Sequence, residues 1–208
     1  MDETGGKRVL VAGATGYVGK FVVREFKARG YWVRALTRSE ERLRASGPFT
    51  APAIGVDDVD EVFVGELTKP STLAGVMDGI DIVFSSVGIS RQRDRLTFEQ
   101  VDHRCNKTLI DLAKAADVQL FEYVSLQGAS DAALADLAIT RAHEAVVAEL
   151  RASGLEHRII RPCGYFSDMG ALLTMARRGR VFLVGDGSNR MSPIHGRDLA
   201  TICVDAVE

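Results

Sequence analysis

The sequence has little cysteine, little histidine, no long apolar run and no surplus of either charge, and each shortage excludes something. Three cysteines in 208 residues, Cys105, Cys163 and Cys203, are odd in number and widely spaced. They argue against a disulfide framework and for reduced thiols in a cytoplasm. The four histidines show no zinc-site spacing. His103 and Cys105 lie close together, but no second pair completes a site, so no metal is expected. No apolar run is long enough to span a bilayer. The opening MDETGGKR is acidic and polar, reads as a frayed end and is no signal peptide. Lys and Arg number 26 against 28 Asp and Glu, a formal net charge of -2. No global basic field therefore draws the chain to nucleic acid or to a membrane. Internal repeats and low-complexity segments are also missing. What is present is an ordinary globular composition, 46% hydrophobic and 26% charged. The length suffices for one sizeable core, or for a large domain with a fragment of a second.

The pattern alternates short apolar runs with amphipathic stretches. Residues 9–12 predict a buried strand. The helix after it carries Val18, Phe21, Val22 and Phe26 at a 3.6-residue period and stops at Gly30. Further strands are expected over 31–36, 61–64, 81–87, 120–125 and 157–161. Helices are expected over 39–45 with Ser39 as N-cap, 71–77, 98–116 and 135–153, the last stopped at Gly154, with a final one from about Arg197. Residues 46–55, SGPFTAPAIG, read as a Pro/Gly-punctuated loop. Strands separated by helices require parallel pairing with right-handed crossovers. VLVAG and DIVFSSV are nearly continuous apolar runs, as in sheets covered on both faces. The expected fold is a doubly wound parallel α/β sheet, a Rossmann fold, with its ligand at the carboxyl ends of the strands.

The stretch VLVAGATGYVGKFVVREF sets Gly13, Gly16 and Gly19 at the joint between the first strand and the first helix. In a dinucleotide fold the first glycine makes the tight turn. The second lets backbone approach the pyrophosphate, and the third lets helix and sheet pack closely. The helix start offers N–H groups and the positive end of its dipole, with Thr15, Tyr17 and Val18 as backbone or hydroxyl donors. A plain Gly-rich turn is the alternative; the strand before and the helix after favour the nucleotide.

GATGYVG resembles the GxxGxxG fingerprint of the extended and atypical short-chain dehydrogenase/reductases, specifically the NmrA-like branch. The resemblance runs through nearly the whole chain. It includes VRALTR, VGELTKPSTLAGVMDGID, DIVFSSVG, VDHRCNKTLIDLAKAADV, FEYVSLQG, LRASGLEHRIIRPCGYF and GDGSNRMSPIHGRDLA, in that order. It implies an NAD(P)-binding Rossmann domain over residues 1–208, with 165–208 a partial substrate-side segment, at most a small, truncated subdomain. Relatives usually continue past the point corresponding to Glu208.

The end of the second strand reads Ala35-Leu36-Thr37-Arg38-Ser39, and no carboxylate appears before Glu40. An acid there would accept from a ribose 2′-hydroxyl, whereas Arg38 suits a 2′-phosphate. NADP(H) is therefore expected ahead of NAD(H). Arg34, inside the strand, faces a sheet surface. By resemblance, Glu66 and Leu67 lie beside the adenine, though most relatives carry Asp where Glu66 stands. Ser86, Val87 and Gly88 line the adenosine and ribose side, and Asn106 braces the sheet. Pro162 and Cys163 belong to the turn that approaches the nicotinamide, with Tyr165 and Phe166 toward the substrate. The family's usual Ser is Ser125. Its YxxxK pair falls on Ile139 and His143, so the usual Tyr is absent, His143 stands at the Lys position, and in a reductase water, Ser125 or His143 must supply the proton. Arg91, Arg93 and Arg95 follow the fourth strand and could steer an acidic group, though a solvated loop is the commoner meaning of such a run.

Two functions follow. One is an NADP(H)-dependent oxidoreductase reducing a small quinone- or enone-like substrate. The other is a non-catalytic NADP(H)-binding redox sensor or regulatory scaffold. The partners implied are a small-molecule substrate and, beyond it, a second copy of the chain or a regulatory protein.

Overall fold

The computed structural model describes residues 6–47, 50–89, 95–182, 186–188 and 190–208. Arg91 and Arg93 lie outside them. Six strands form one sheet: β1 (Arg8–Ala12), β2 (Trp32–Thr37), β3 (Glu61–Val64), β4 (Ile82–Ser85), β5 (Leu120–Val124) and β6 (His157–Ile160). All pair in parallel in the order β3-β2-β1-β4-β5-β6. The order reverses between β1 and β4, the switch point where a doubly wound sheet opens a crevice beyond its strand ends.

Alternation along the strands divides the core in two. Val9 and Val11 face one side, Leu10 and Ala12 the other. On the first side lie α1 (Tyr17–Ala28) and α6 (Gly196–Val207), packed together through Phe21, Val22, Leu199, Cys203 and Val204. On the second lie α3 (Cys105–Ala115) and α4 (Ala138–Ser153), with Leu109, Val146 and Leu150 under the sheet. A π-helical turn, Glu99–Arg104, leads into α3. Ser39 caps α2 (Glu40–Arg44) by accepting from Arg42 N–H, and Gly154 ends α4 in the left-handed region at φ 81°. Arg34 is buried on the sheet surface, donating to the Val76 carbonyl and pairing with Glu61.

Two elements differ from expectation. Residues 71–77 form no α-helix. Pro70–Thr72 makes one 3₁₀ turn, and Gly75 at φ 78° then breaks the run into successive tight turns. Residues in the left-handed region cannot continue a helix. The second is α5 (Phe166–Arg177), absent from the sequence reading. Its sequence, FSDMGALLTMAR, has too few polar residues to show a stripe, and only Ser167 is buried. α6, by contrast, returns to the sheet and buries six residues. Within residues 165–208, α5 thus stands largely outside the core and α6 inside it.

Candidate cofactor site

The turn between β1 and α1 is built by glycines with distinct jobs. Gly13 adopts φ 86°, and a Cβ there would lie 2.8 Å from Ser86 Oγ. A Cβ on Gly19 would lie 2.1 Å from the Gly13 carbonyl oxygen, so helix and turn touch only because the side chain is missing. Gly16 is exposed, and a Cβ there would meet only the Gly13 carbonyl oxygen, at 3.2 Å. Its missing side chain leaves open space above the turn. No side chain caps α1, so the first-turn N–H groups of Tyr17 and Val18 are left for an external acceptor. This is a cradle shaped for a phosphate, and a dinucleotide fits it.

Thr15 is half-buried in the same turn. The Tyr17 hydroxyl is committed elsewhere: it accepts from Gly196 N–H at 3.1 Å, and the ring packs edge-on against Phe21 and His195. The hydroxyl's own proton remains to donate. Arg38 is exposed just beyond β2, and no carboxylate among the described residues lies within ion-pair distance of it. Glu66, after β3, is drawn into its own turn by Lys69 at 2.8 Å and by the Thr68 hydroxyl. Those bonds, together with the more distant Arg38 charge, lower its carboxyl below the usual range. Leu67 packs on the second core.

Beyond β4, Ser86 N–H donates to the Ala12 carbonyl, tying the two strand ends that flank the switch point. Asn106 is fully buried and braces this end. It accepts from Ser85 Oγ at 2.5 Å and donates to the carbonyls of Val87 and Asp102. Gly88 is exposed, and a Cβ there would lie 2.8 Å from Asp102 Oδ1.

Two residues missed by sequence reasoning, Asp102 and Tyr123, enclose His143. The His143 ring is 8% exposed. Its Nδ1 lies 2.7 Å from the Tyr123 hydroxyl and its Nε2 3.5 Å from Asp102 Oδ1. The roles of the two ring nitrogens follow the tautomer: with the proton on Nε2, toward Asp102, Nδ1 accepts from the phenol. Asp102 also accepts from Ile89 N–H at 3.2 Å, which joins the loop after β4 to α4. Burial, reinforced by the Asp102 charge, raises the Tyr123 phenol far above its ordinary range. A π-helical turn and residue pairs 20 or more positions apart leave no local sequence signal. Ser125 shares the sheet face of Tyr123. It is 3% exposed, and its Oγ has no hydrogen-bond partner among the described residues.

At the ends of β5 and β6, Gln127, Gly128, Cys163, Arg190, Met191 and Ser192 line an open cavity of ≈ 350 Å³. Gln127 N–H donates to the Pro162 carbonyl, and the Cys163 thiol donates to the Ser192 carbonyl. Pro162 is half-buried in this turn and Cys163 exposed. No group of His, Cys, Asp and Glu able to hold a metal occurs among the described residues.

A family model described as NAD(P)H-binding matches residues 13–208, from the first glycine of the cradle onward. The chain belongs to the NAD(P)H-binding family. Its structural neighbours include a putative NAD-dependent epimerase/dehydratase of Bacillus halodurans, 21% identical with a TM-score of 0.71 over 98% of this chain and 88% of the other, a likeness of fold. The photosystem II assembly factor Ycf39 of Cyanophora paradoxa is 29% identical over 161 residues, 77% of this chain and 46% of that protein. The chloroplastic divinyl chlorophyllide a 8-vinyl-reductase of Arabidopsis thaliana is 26% identical, covering 96% of this chain and 49% of that protein. The chain thus spans about half the length of the curated relatives it matches. Among solved structures, the NADPH-dependent quinone oxidoreductase QOR2 of Escherichia coli, complexed with NADPH, superposes with a TM-score of 0.71 at 20% identity. That match covers 96% of this chain and 64% of the other. This NAD(P)H-binding chain has no helix, among the described residues, long and apolar enough to cross a membrane.

Proposed function

We propose that the chain binds NADP(H) in preference to NAD(H) and acts as an oxidoreductase on a small quinone- or enone-like acceptor. The observation that carries the cofactor preference is Arg38, exposed just beyond β2 with no ion-pair partner among the described residues, while Glu66 is occupied by Lys69 and Thr68. A guanidinium matches a 2′-phosphate in charge and hydrogen-bond geometry. Gly13, Gly16 and Gly19, with Thr15 and the N–H groups of Tyr17 and Val18, form the pyrophosphate cradle. Leu67, Ser86, Val87 and Gly88 line the adenosine and ribose side. Pro162 and Cys163 face the nicotinamide end, where the bound cofactor would supply a hydride. Ser125 Oγ, buried and without a partner among the described residues, is the hydroxyl left to bond an acceptor oxygen or a ribose hydroxyl. His143 reaches the cleft only through the groups around it, because both ring nitrogens face Tyr123 and Asp102.

That last observation favours a second reading, binding without turnover, in which the chain senses the cofactor's redox state. Calorimetry with NADPH and NADH tests the first claim. Arg38→Ala should weaken NADPH by about 1–3 kcal/mol, the range for a charged hydrogen bond, and leave NADH nearly unchanged. Equal wild-type affinities would remove the basis for it. NADPH oxidation against a panel of quinones and enones separates the two readings: steady turnover supports the reductase, and binding without oxidation supports the sensor.

A further inference from the structure

Lys20 is the fourth residue of α1, directly after Gly19, and its side chain is 1% exposed. A buried ammonium normally faces a carboxylate. This one faces three backbone carbonyls, those of Leu43 at 2.5 Å, Ala45 at 2.8 Å and Arg42 at 3.1 Å. Its three donors meet three acceptors at the C-terminal end of α2. The aliphatic stem is enclosed as well: a Cβ on Gly47 would lie 3.0 Å from Lys20 Cδ. Lys20 thus fastens the segment after β2 to the helix that opens the phosphate cradle. At its other end the same segment begins with Arg38, and Ser39 and Thr37 hold the corner through Arg42 N–H and Ser39 N–H.

A residue needed only to fill this space would be apolar, since burying an ammonium costs more than burying a methylene chain. A cation here serves to fix the position of a short helix that has just one buried side chain of its own, Leu43. We infer that Lys20 is a positioning residue for cofactor choice: by clamping the α2 carbonyls to α1 it holds Arg38 at the distance from the cradle that a 2′-phosphate requires. The inference rests on the NADP(H) reading above and adds a residue that does not touch the cofactor.

The test compares dissociation constants for NADPH and NADH, by calorimetry, in the wild type, Lys20→Met and Lys20→Arg. Lys20→Met should cost about tenfold in NADPH affinity while NADH changes less than twofold, and Lys20→Arg should recover most of the NADPH affinity. A merely structural role would lower both affinities together and leave their ratio intact, and that result would overturn the inference. So would a preference for NADPH that Lys20→Met retains in full. A wild type without preference would overturn the NADP(H) reading and this inference with it, so the two failures are distinguishable. Should Lys20→Met not fold, Lys20→Gln, with two amide donors for three carbonyls, should show the same selective loss to a smaller degree; an unchanged ratio in that variant would overturn the clamp equally.

Discussion

At the scale of single residues, Gly16 and Gly19 separate binding from folding. A methyl on Gly16 meets one carbonyl at 3.2 Å, and a methyl on Gly19 meets backbone at 2.1 Å. Gly16→Ala should therefore cost under about 1 kcal/mol of stability but more than tenfold in NADPH affinity. Gly19→Ala should cost about 1–3 kcal/mol as forced overpacking, read by urea denaturation. The close packing at Gly19 was legible in the sequence because it follows from the spacing of the three glycines. Glu122 was not legible. It sits mid-strand in β5, its carboxyl buried beside the Cys203 thiol, with no cation paired to it among the described residues. Burial pushes its carboxyl from 4.5 up to about 8. A carboxyl raised in the folded state keeps its proton after the unfolded chain has lost its own. Its contribution is thus complete below pH 4.5 and declines until about pH 8, by up to about 1.4 kcal/mol per pH unit. Glu122→Gln should flatten the fall in stability between pH 5 and pH 8; parallel curves for the two proteins would refute this.

At the scale of elements, α4, the π-turn before α3, and β5 are joined by polar atoms as well as by apolar packing. Tyr123→Phe removes the donor to His143 Nδ1, and Asp102→Ala strands both Ile89 N–H and His143 Nε2–H. Each should destabilise by about 1–3 kcal/mol, the second more than the first. In a double-mutant cycle the two should couple by at least about 0.5 kcal/mol, as members of one network do. Additive losses would mean that His143 does not transmit between them. Strands were read within a residue or two because apolar runs flanked by Gly and Asp are local signals, and Ser39 and Gly154 marked helix ends for the same reason. The helix expected over 71–77 failed at Gly75, whose left-handed backbone outweighed the apolar spacing around it. α5 went unread because its side chains are apolar nearly all round. Asn106 could be placed by likeness to relatives, but the bonds that bury it cross from α3 to β4 and lie in no single stretch of sequence.

At the scale of the whole molecule, stability should be uneven. α5 buries one residue and α6 buries six. Amide exchange should therefore proceed in α5 through local opening, at least a hundredfold faster than in α6 and α1; equal protection would contradict the packing described. The contact that seats α6 carries a further consequence for how the chain is made. Gly196 N–H reaches the Tyr17 hydroxyl across 179 positions, and α1 shares its apolar face with α6. On the ribosome, Phe21, Val22 and Val18 emerge long before Leu199 and Val204, at roughly 5–20 residues per second. For that interval the helix that opens the phosphate cradle has no cover on its outer face. Nascent chains held short of residue 196 should consequently present a sticky helix to chaperones, and chains released past residue 207 should not.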